Sequence, residues 1–196
     1  MDKLLLAIDF AAKKHRNQRR KDSTKTPYIN HPIDVCNQLA QSGVTDVDTL
    51  CAAVLHDTIE DTGTTDQELI TLFGENVASI VRECTDDKSL PKIKRKQLQL
   101  EHAKCISTAA KLVKLADKYS NISDLLENPP VSWSKKEIYG YATWCYAIFL
   151  NLKGVNESLE KKLMDVFEKF GINNVDPTKL DELLNEYYAS IKNSEI

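Results

Sequence analysis

At 196 residues, with 42% hydrophobic and 28% charged side chains, the chain can build one well-buried core but not two full-sized domains, and this balance excludes a disordered or fibrous chain. No apolar run approaches the length of about eighteen needed to span a bilayer. Leu4-Leu5-Leu6-Ala7-Ile8 is broken by Asp9, Lys13, Lys14 and Arg16, so neither a signal peptide nor a membrane anchor fits and a cytoplasmic location is expected. The net charge of −3 conceals a basic cluster at Lys13, Lys14, Arg16, Arg19, Arg20 and Lys21, which suits a small anionic ligand better than a nucleic acid or a membrane. Five cysteines without a C-x-x-C pair fit neither a disulfide framework nor a thiolate zinc site.

The six prolines and all but one of the six glycines fall at the ends of segments with helical periodicity, predicting an all-α bundle without a sheet core. A first helix runs from about Lys3 to about Arg19, with Leu5, Ile8 and Ala12 facing the core. After a loop from Asp22 to Pro27, Asn30 reads as an N-cap and Pro32 as a first-turn residue of a helix from His31 to Gln41. Asp46 or Asp48 opens a third helix that carries Leu50, Ala53, Val54 and Leu55 inward and continues to Thr62-Gly63. Thr65-x-x-Glu68 is a capping box for a short helix ending at Phe73-Gly74, and Val77, Ile80 and Val81 form the stripe of the next.

Beyond the polar joint Thr85 to Ser89, a basic helix with Lys92, Lys94, Arg95 and Lys96 is expected on the surface. Ser107 caps a helix in which Leu112, Leu115, Ala116 and Ile122 share a buried face and Asp117 stands beside it. Ser134-x-x-Glu137 then opens an aromatic-rich helix closed by Gly154, and another covers about Glu157 to Lys169 before Gly171. Asp176-Pro177 restarts an amphipathic segment with Leu180, Leu183, Leu184, Tyr187, Tyr188 and Ile191, suited to docking on the body or on another subunit. The expected organisation is a domain over 1–171 and an amphipathic extension over 172–196.

The informative segment is His56-Asp57-Thr58-Ile59-Glu60-Asp61, four ionisable groups at the end of an apolar helix. Burying unpaired charge is costly, and a divalent cation would neutralise the cluster. An adjacent His-Asp pair supplies one imidazole and one carboxylate to a borderline or hard metal. His31 and Asp117 are the natural partners from elsewhere, giving a His2Asp2 shell.

In order, His31-Pro32, then Ala52-Ala53-Val54-Leu55-His56-Asp57 with Glu60-Asp61-Thr62, then Lys114-Leu115-Ala116-Asp117 with Asn121 match the ligands of the HD-domain phosphohydrolases. The chain resembles, within that superfamily, the (p)ppGpp hydrolases of the small stand-alone animal form related to SpoT. The resemblance runs from about Leu4 to Gly171. It includes His15-Arg16-x-x-Arg19-Arg20-Lys21, Pro27-Tyr28-Ile29-Asn30-His31-Pro32, Thr85-Asp86-Asp87-Lys88 and Trp133. It implies one manganese ion held by His31, His56, Asp57 and Asp117, and removal of the 3′-diphosphate of ppGpp as pyrophosphate, leaving GDP.

Glu60 and Asp61, one turn beyond the ligands, are placed to orient water and take its proton, Glu60 foremost. The resemblance favours substrate contacts for Arg20, Lys21 and Tyr141; Asn121, four residues after Asp117 on the same helical face, can reach the ribose or phosphate, and Lys92 can reach the phosphates from its surface helix. Where the family usually carries an arginine, this chain has Ser123, which bears on substrate grip. Removal of the 2′-phosphate of NADPH in the same pocket, or a catalytically silent nucleotide sensor, are the alternatives.

Overall fold

The computed structural model describes residues 2–194, and these form eleven helices. In chain order they are α1 (Asp2–Lys14), α2 (Asn30–Gln41), α3 (Val47–Leu55), α4 (Thr58–Thr62), α5 (Asp66–Phe73), α6 (Glu75–Cys84), α7 (Lys92–His102), α8 (Thr108–Glu127), α9 (Lys135–Leu152), α10 (Glu157–Lys169) and α11 (Pro177–Ser194). The all-α expectation holds. The one β feature among the described residues is an isolated antiparallel bridge between Arg19 and Pro27.

α3 is the hub. Every residue from Thr49 to Leu55 is buried, because α1, α2, α6 and α8 pack around it, and this explains a run that is apolar on all faces rather than striped. α9 and α10 cover α8, so the long helix carrying Asp117 is gripped on both sides. Sequence-encoded caps set the helix starts. Asp46 accepts from Thr49 N (2.8 Å), and both Thr65/Glu68 and Ser134/Glu137 form complete capping boxes.

Several expectations are corrected. α1 ends at Lys14 instead of Arg19, because the chain turns back on itself: Arg20 N donates to Thr26 O (2.8 Å) and Tyr28 N to Gln18 O (3.1 Å). Its fully buried residues are Ala7 and Ala11, and Ile8 packs against the core as expected, while Leu5 is exposed, since the helix lies with its small residues against α3. Asn30 is the first residue of α2, and the cap position is Ile29, with no side-chain cap.

The third helix does not run through to Thr62. It breaks at His56-Asp57, because His56 Nδ1 donates to Ala53 O (2.8 Å) and Thr58 Oγ1 to Leu55 O (2.7 Å), side-chain donors taking carbonyls at the end of the helix. α7 is not wholly superficial, for Lys96 is buried and its carbonyl accepts from Trp144 Nε1 (3.1 Å). α11 docks on its own body, against α9 and α7.

Candidate functional site

The break after α3 turns His56 and Asp57 towards α8 and the start of α2. A turn in which His31 N bonds Tyr28 O (2.9 Å) starts α2, and it leaves His31 buried facing Ser120 of α8. His31 Nδ1 shares a hydrogen bond with Ser120 Oγ (3.1 Å), and His56 Nδ1 is committed to Ala53 O. Both rings are thereby oriented by their outer nitrogens, and both Nε2 atoms point inward, the arrangement usual for metal-binding histidines.

Inside, His31 Nε2 lies 3.1 Å from Asp117 Oδ1 and 3.8 Å from Asp57 Oδ2, and His56 Nε2 lies 3.1 Å from Asp57 Oδ2 and 3.7 Å from Asp117 Oδ1. Ligand atoms of His31, His56 and Asp117 fall within 4.8 Å of one another, close enough to share one ion. Asp57 lies beside both imidazoles. It is held by Tyr28, whose hydroxyl donates to Oδ2 (2.7 Å), and Asp117 is held by Lys118 Nζ (2.8 Å) and Asn121 Nδ2 (2.6 Å).

Burial alone would depress His56, but Asp57 and Asp117 overcome it and hold the imidazole well above its ordinary range. Burial would raise both carboxyls; His56 and His31 pull Asp57 down instead, and Lys118 with the two histidines does so for Asp117. The field at the centre thus favours a cation. His56 Nε2 is buried without a well-aligned hydrogen-bond partner, and because Nδ1 is committed as a donor to Ala53 O, a divalent cation that displaced the Nε2 proton would meet that nitrogen's lone pair. Two imidazole nitrogens and two carboxylates therefore fit a divalent metal.

Glu60 and Asp61 part company across two adjoining cavities. Glu60 lines the smaller, about 190 Å³, with the four clustered residues, whereas Asp61 lines the larger, about 470 Å³. Burial pushes the Glu60 carboxyl up to about 7, partly opposed by Asp86 N, which donates to Oε2 (3.1 Å); Arg95 and Lys88 stand 3.9 Å from Oε1. Asp61 is engaged by Gln18 Nε2 (2.8 Å) and by Lys88.

Of the predicted substrate residues, Asn121 and Tyr141 line both cavities, and Arg20 and Lys21 line the larger one. Arg20 is held by Asp124 (2.6 Å) and Asn121 (3.2 Å) and stacks towards Tyr28, so it is preset against the cavity wall. Lys92 is not brought in. It lines a separate hollow of about 20 Å³ with Trp133, Glu137 and Tyr187. Ser123 lies on a third cavity, about 350 Å³, behind Arg20 and Asp124.

Sequence reasoning assigned no role to Tyr28 or to Lys96, Lys114 and Lys118, the last three lining the smaller cavity. Tyr28 had a signal, an aromatic residue one turn before His31, a predicted ligand. Lys96 had a clearer one, since it falls between Ile93 and Leu100 on the apolar side of a basic helix.

Residues 7–155 match the HD domain family. The chain is 51% identical over 170 residues, 86% of this chain and 95% of the relative, to guanosine-3′,5′-bis(diphosphate) 3′-pyrophosphohydrolase MESH1 of Xenopus tropicalis. It is 45% identical over 171 residues, 87% and 96% of the two chains, to that of Drosophila melanogaster. A solved structure described as a metazoan ortholog of SpoT that hydrolyzes ppGpp and plays a role in starvation responses superposes with a TM-score of 0.86 at 44% identity. The match covers 88% of this chain and 98% of that one.

Proposed function

The chain belongs to the HD-domain family, and from that premise we propose that it is a metal-dependent phosphohydrolase that removes the 3′-diphosphate of ppGpp as pyrophosphate, leaving GDP. The observation that carries this is the convergence of His31, His56, Asp57 and Asp117 beside a cavity edged by cations and aromatic faces. Manganese is the metal that the family resemblance implies, and a mixed imidazole and carboxylate shell accommodates it with positions left for water and substrate. When bound, the ion offsets charge on the phosphoryl oxygens and makes water a better nucleophile.

The chain's own groups supply the rest. Glu60, in the smaller cavity with its carboxyl near neutrality, orients the attacking water and accepts its proton. The water oxygen bonds to the phosphorus joined to the ribose 3′-oxygen, the phosphorus–oxygen bond to the ribose breaks, and the 3′-oxygen takes up a proton. Asp61 acts in support, tying Gln18 and Lys88 into the wall of the larger cavity. Arg20 and Lys21 meet the anionic groups, Asn121 bridges between ligand and substrate, and Tyr141 with Trp133 offers ring faces to the base.

Residues 172–196 act as an appended amphipathic unit whose helix is α11. No described helix is long and apolar enough to cross a membrane, and a cytoplasmic site of action follows from a soluble nucleotide substrate. The test is direct. Protein with manganese releases pyrophosphate and GDP from ppGpp, chelator stops it, and ppGpp is turned over faster than NADPH. Equal release in chelator, or faster loss of the 2′-phosphate of NADPH, overturns the assignment.

A further inference from the structure

α7 turns Ile93, Leu100 and the following Ala103 towards the core, and Lys96 occupies the same stripe. A lysine there loses most of its hydration, which disfavours the charged form unless a partner restores what water gave. Its partners are rings. Nζ lies 3.5 Å from the centroid of Trp144, 4.8 Å from that of Tyr141 and 5.3 Å from that of Tyr187. Among the described residues no carboxylate pairs with it and no oxygen accepts from it, and ring faces offset only part of the lost hydration.

The two other lysines of the same cavity are engaged. Lys118 Nζ donates to Asp117 Oδ2 (2.8 Å) and Lys114 Nζ to Cys84 O (3.2 Å). Lys96 alone of the three keeps its N–H groups unspent, in the cavity that also holds His31, His56, Asp57, Glu60 and Asp117. Burial pushes its ammonium down to about 7, and an anion beside it would restore the charged form.

The third ring comes from α11, which lies outside residues 7–155. Tyr187 reaches the cage because position 140 of α9 is glycine: a Cβ there would stand 2.4 Å from Tyr187 Cδ2. The last helix is therefore seated on α9 one residue before Tyr141, over the lysine.

The geometry points to Lys96 as a phosphate-contacting residue of the hydrolytic site, caged by Trp144 and Tyr141 and positioned by Tyr187 of the last helix. This rests on the phosphohydrolase assignment above and adds a phosphate subsite to it. Lysine serves as a point charge for one terminal oxygen of the departing pyrophosphate, and Tyr187 acts through Lys96 without touching substrate.

Inorganic pyrophosphate titrated into manganese-loaded protein tests the subsite without requiring turnover. Lys96→Met weakens its binding, and raises KM for ppGpp, by about tenfold or more, as expected for loss of a charge-assisted contact. Manganese affinity stays as in wild type, and the melting temperature does not fall, because a desolvated charge has been removed. Lys96→Arg recovers part of the affinity. Tyr187→Phe, which keeps the ring, matches wild type, while Tyr187→Leu, which keeps the apolar contact without it, binds pyrophosphate more weakly.

Unchanged pyrophosphate affinity in Lys96→Met overturns the proposal, as does a lowered melting temperature with lost manganese binding, the mark of a structural lysine. Unchanged affinity in Tyr187→Leu overturns the part given to α11. Should wild type bind pyrophosphate through Lys96 yet fail to hydrolyse ppGpp, the subsite stands and the reaction assigned above falls.

Discussion

The two sides of the smaller cavity handle buried charge in opposite ways. At the α3–α4 break and beside Asp117 on α8, buried charges meet one another: the carboxylates of Asp57 and Asp117 face His31 and His56, and Tyr28, Lys118 and Asn121 hold their remaining lone pairs. Across the cavity, on the wall built by α7, α9 and α11, the buried cation Lys96 faces only rings. The first side is a fixed cluster whose geometry is over-determined and suited to hold one ion in place. The second is a charge left open, which is how a site receives an anion that arrives and leaves.

The largest effect should come from breaking the fixed side. Asp57→Ala lowers ppGpp hydrolysis on the order of 10³-fold or more, since the charge stabilisation supplied at the reacting phosphorus is lost, and calorimetry shows manganese binding lost with it. Glu60→Gln leaves manganese binding intact and lowers kcat by about 10²-fold to 10³-fold, the span expected for loss of a general base. Steady-state kinetics beside a metal titration separates the two variants.

Glu60 also gives a pH signature. Its folded carboxyl titrates at about 7 against an ordinary 4.5, so the folded protein holds a proton that the unfolded chain releases within that window. Metal-free protein should accordingly lose stability as pH rises from about 4.5 to about 7. Thermal melts in chelator read this slope, which Glu60→Gln should flatten. Manganese should move the Glu60 titration to lower pH, because a nearby cation favours the ionised carboxylate, and NMR of the side-chain carbon follows it.

Smaller effects sharpen the same contrast. Tyr28→Phe removes the donor to Asp57 Oδ2 and should weaken manganese binding by about tenfold, the effect of losing an outer partner of a ligand. Thr65→Ala lies on the scaffold, where it breaks the capping box of α5. It should cost about 1 kcal/mol of stability in denaturant titration and leave kcat unchanged.

Much of this was legible in the residues because the signals were local. Capping boxes at Thr65 and Ser134, the Asp46 cap and the stop at Gly171 act within a turn of the backbone, and each appears where the pattern puts it. The clustering of His31, His56, Asp57 and Asp117 was legible only through the ordered family pattern, because a His-Asp dipeptide by itself is common by chance. What escaped depends on tertiary contact. The α3–α4 break comes from side chains of His56 and Thr58 competing for backbone carbonyls, which helical periodicity does not reveal. Basic composition marked α7 as surface, but Lys96 turns inward because Trp144 of a helix 48 residues later binds its carbonyl. Lys92, expected at the phosphates, stands at the first turn of α7, one turn before Lys96, and lines a separate small hollow with Trp133 and Tyr187 instead of the cavity of the His-Asp cluster.

Manganese titrated into metal-free protein, with stoichiometry and affinity read by calorimetry for wild type and Asp117→Asn, tests most directly whether α2, the α3–α4 break and α8 converge on one cation. A single ion bound per chain, and sharply weakened binding in the variant, is the predicted result. No binding to the wild type, or equal affinity in Asp117→Asn, would contradict the account.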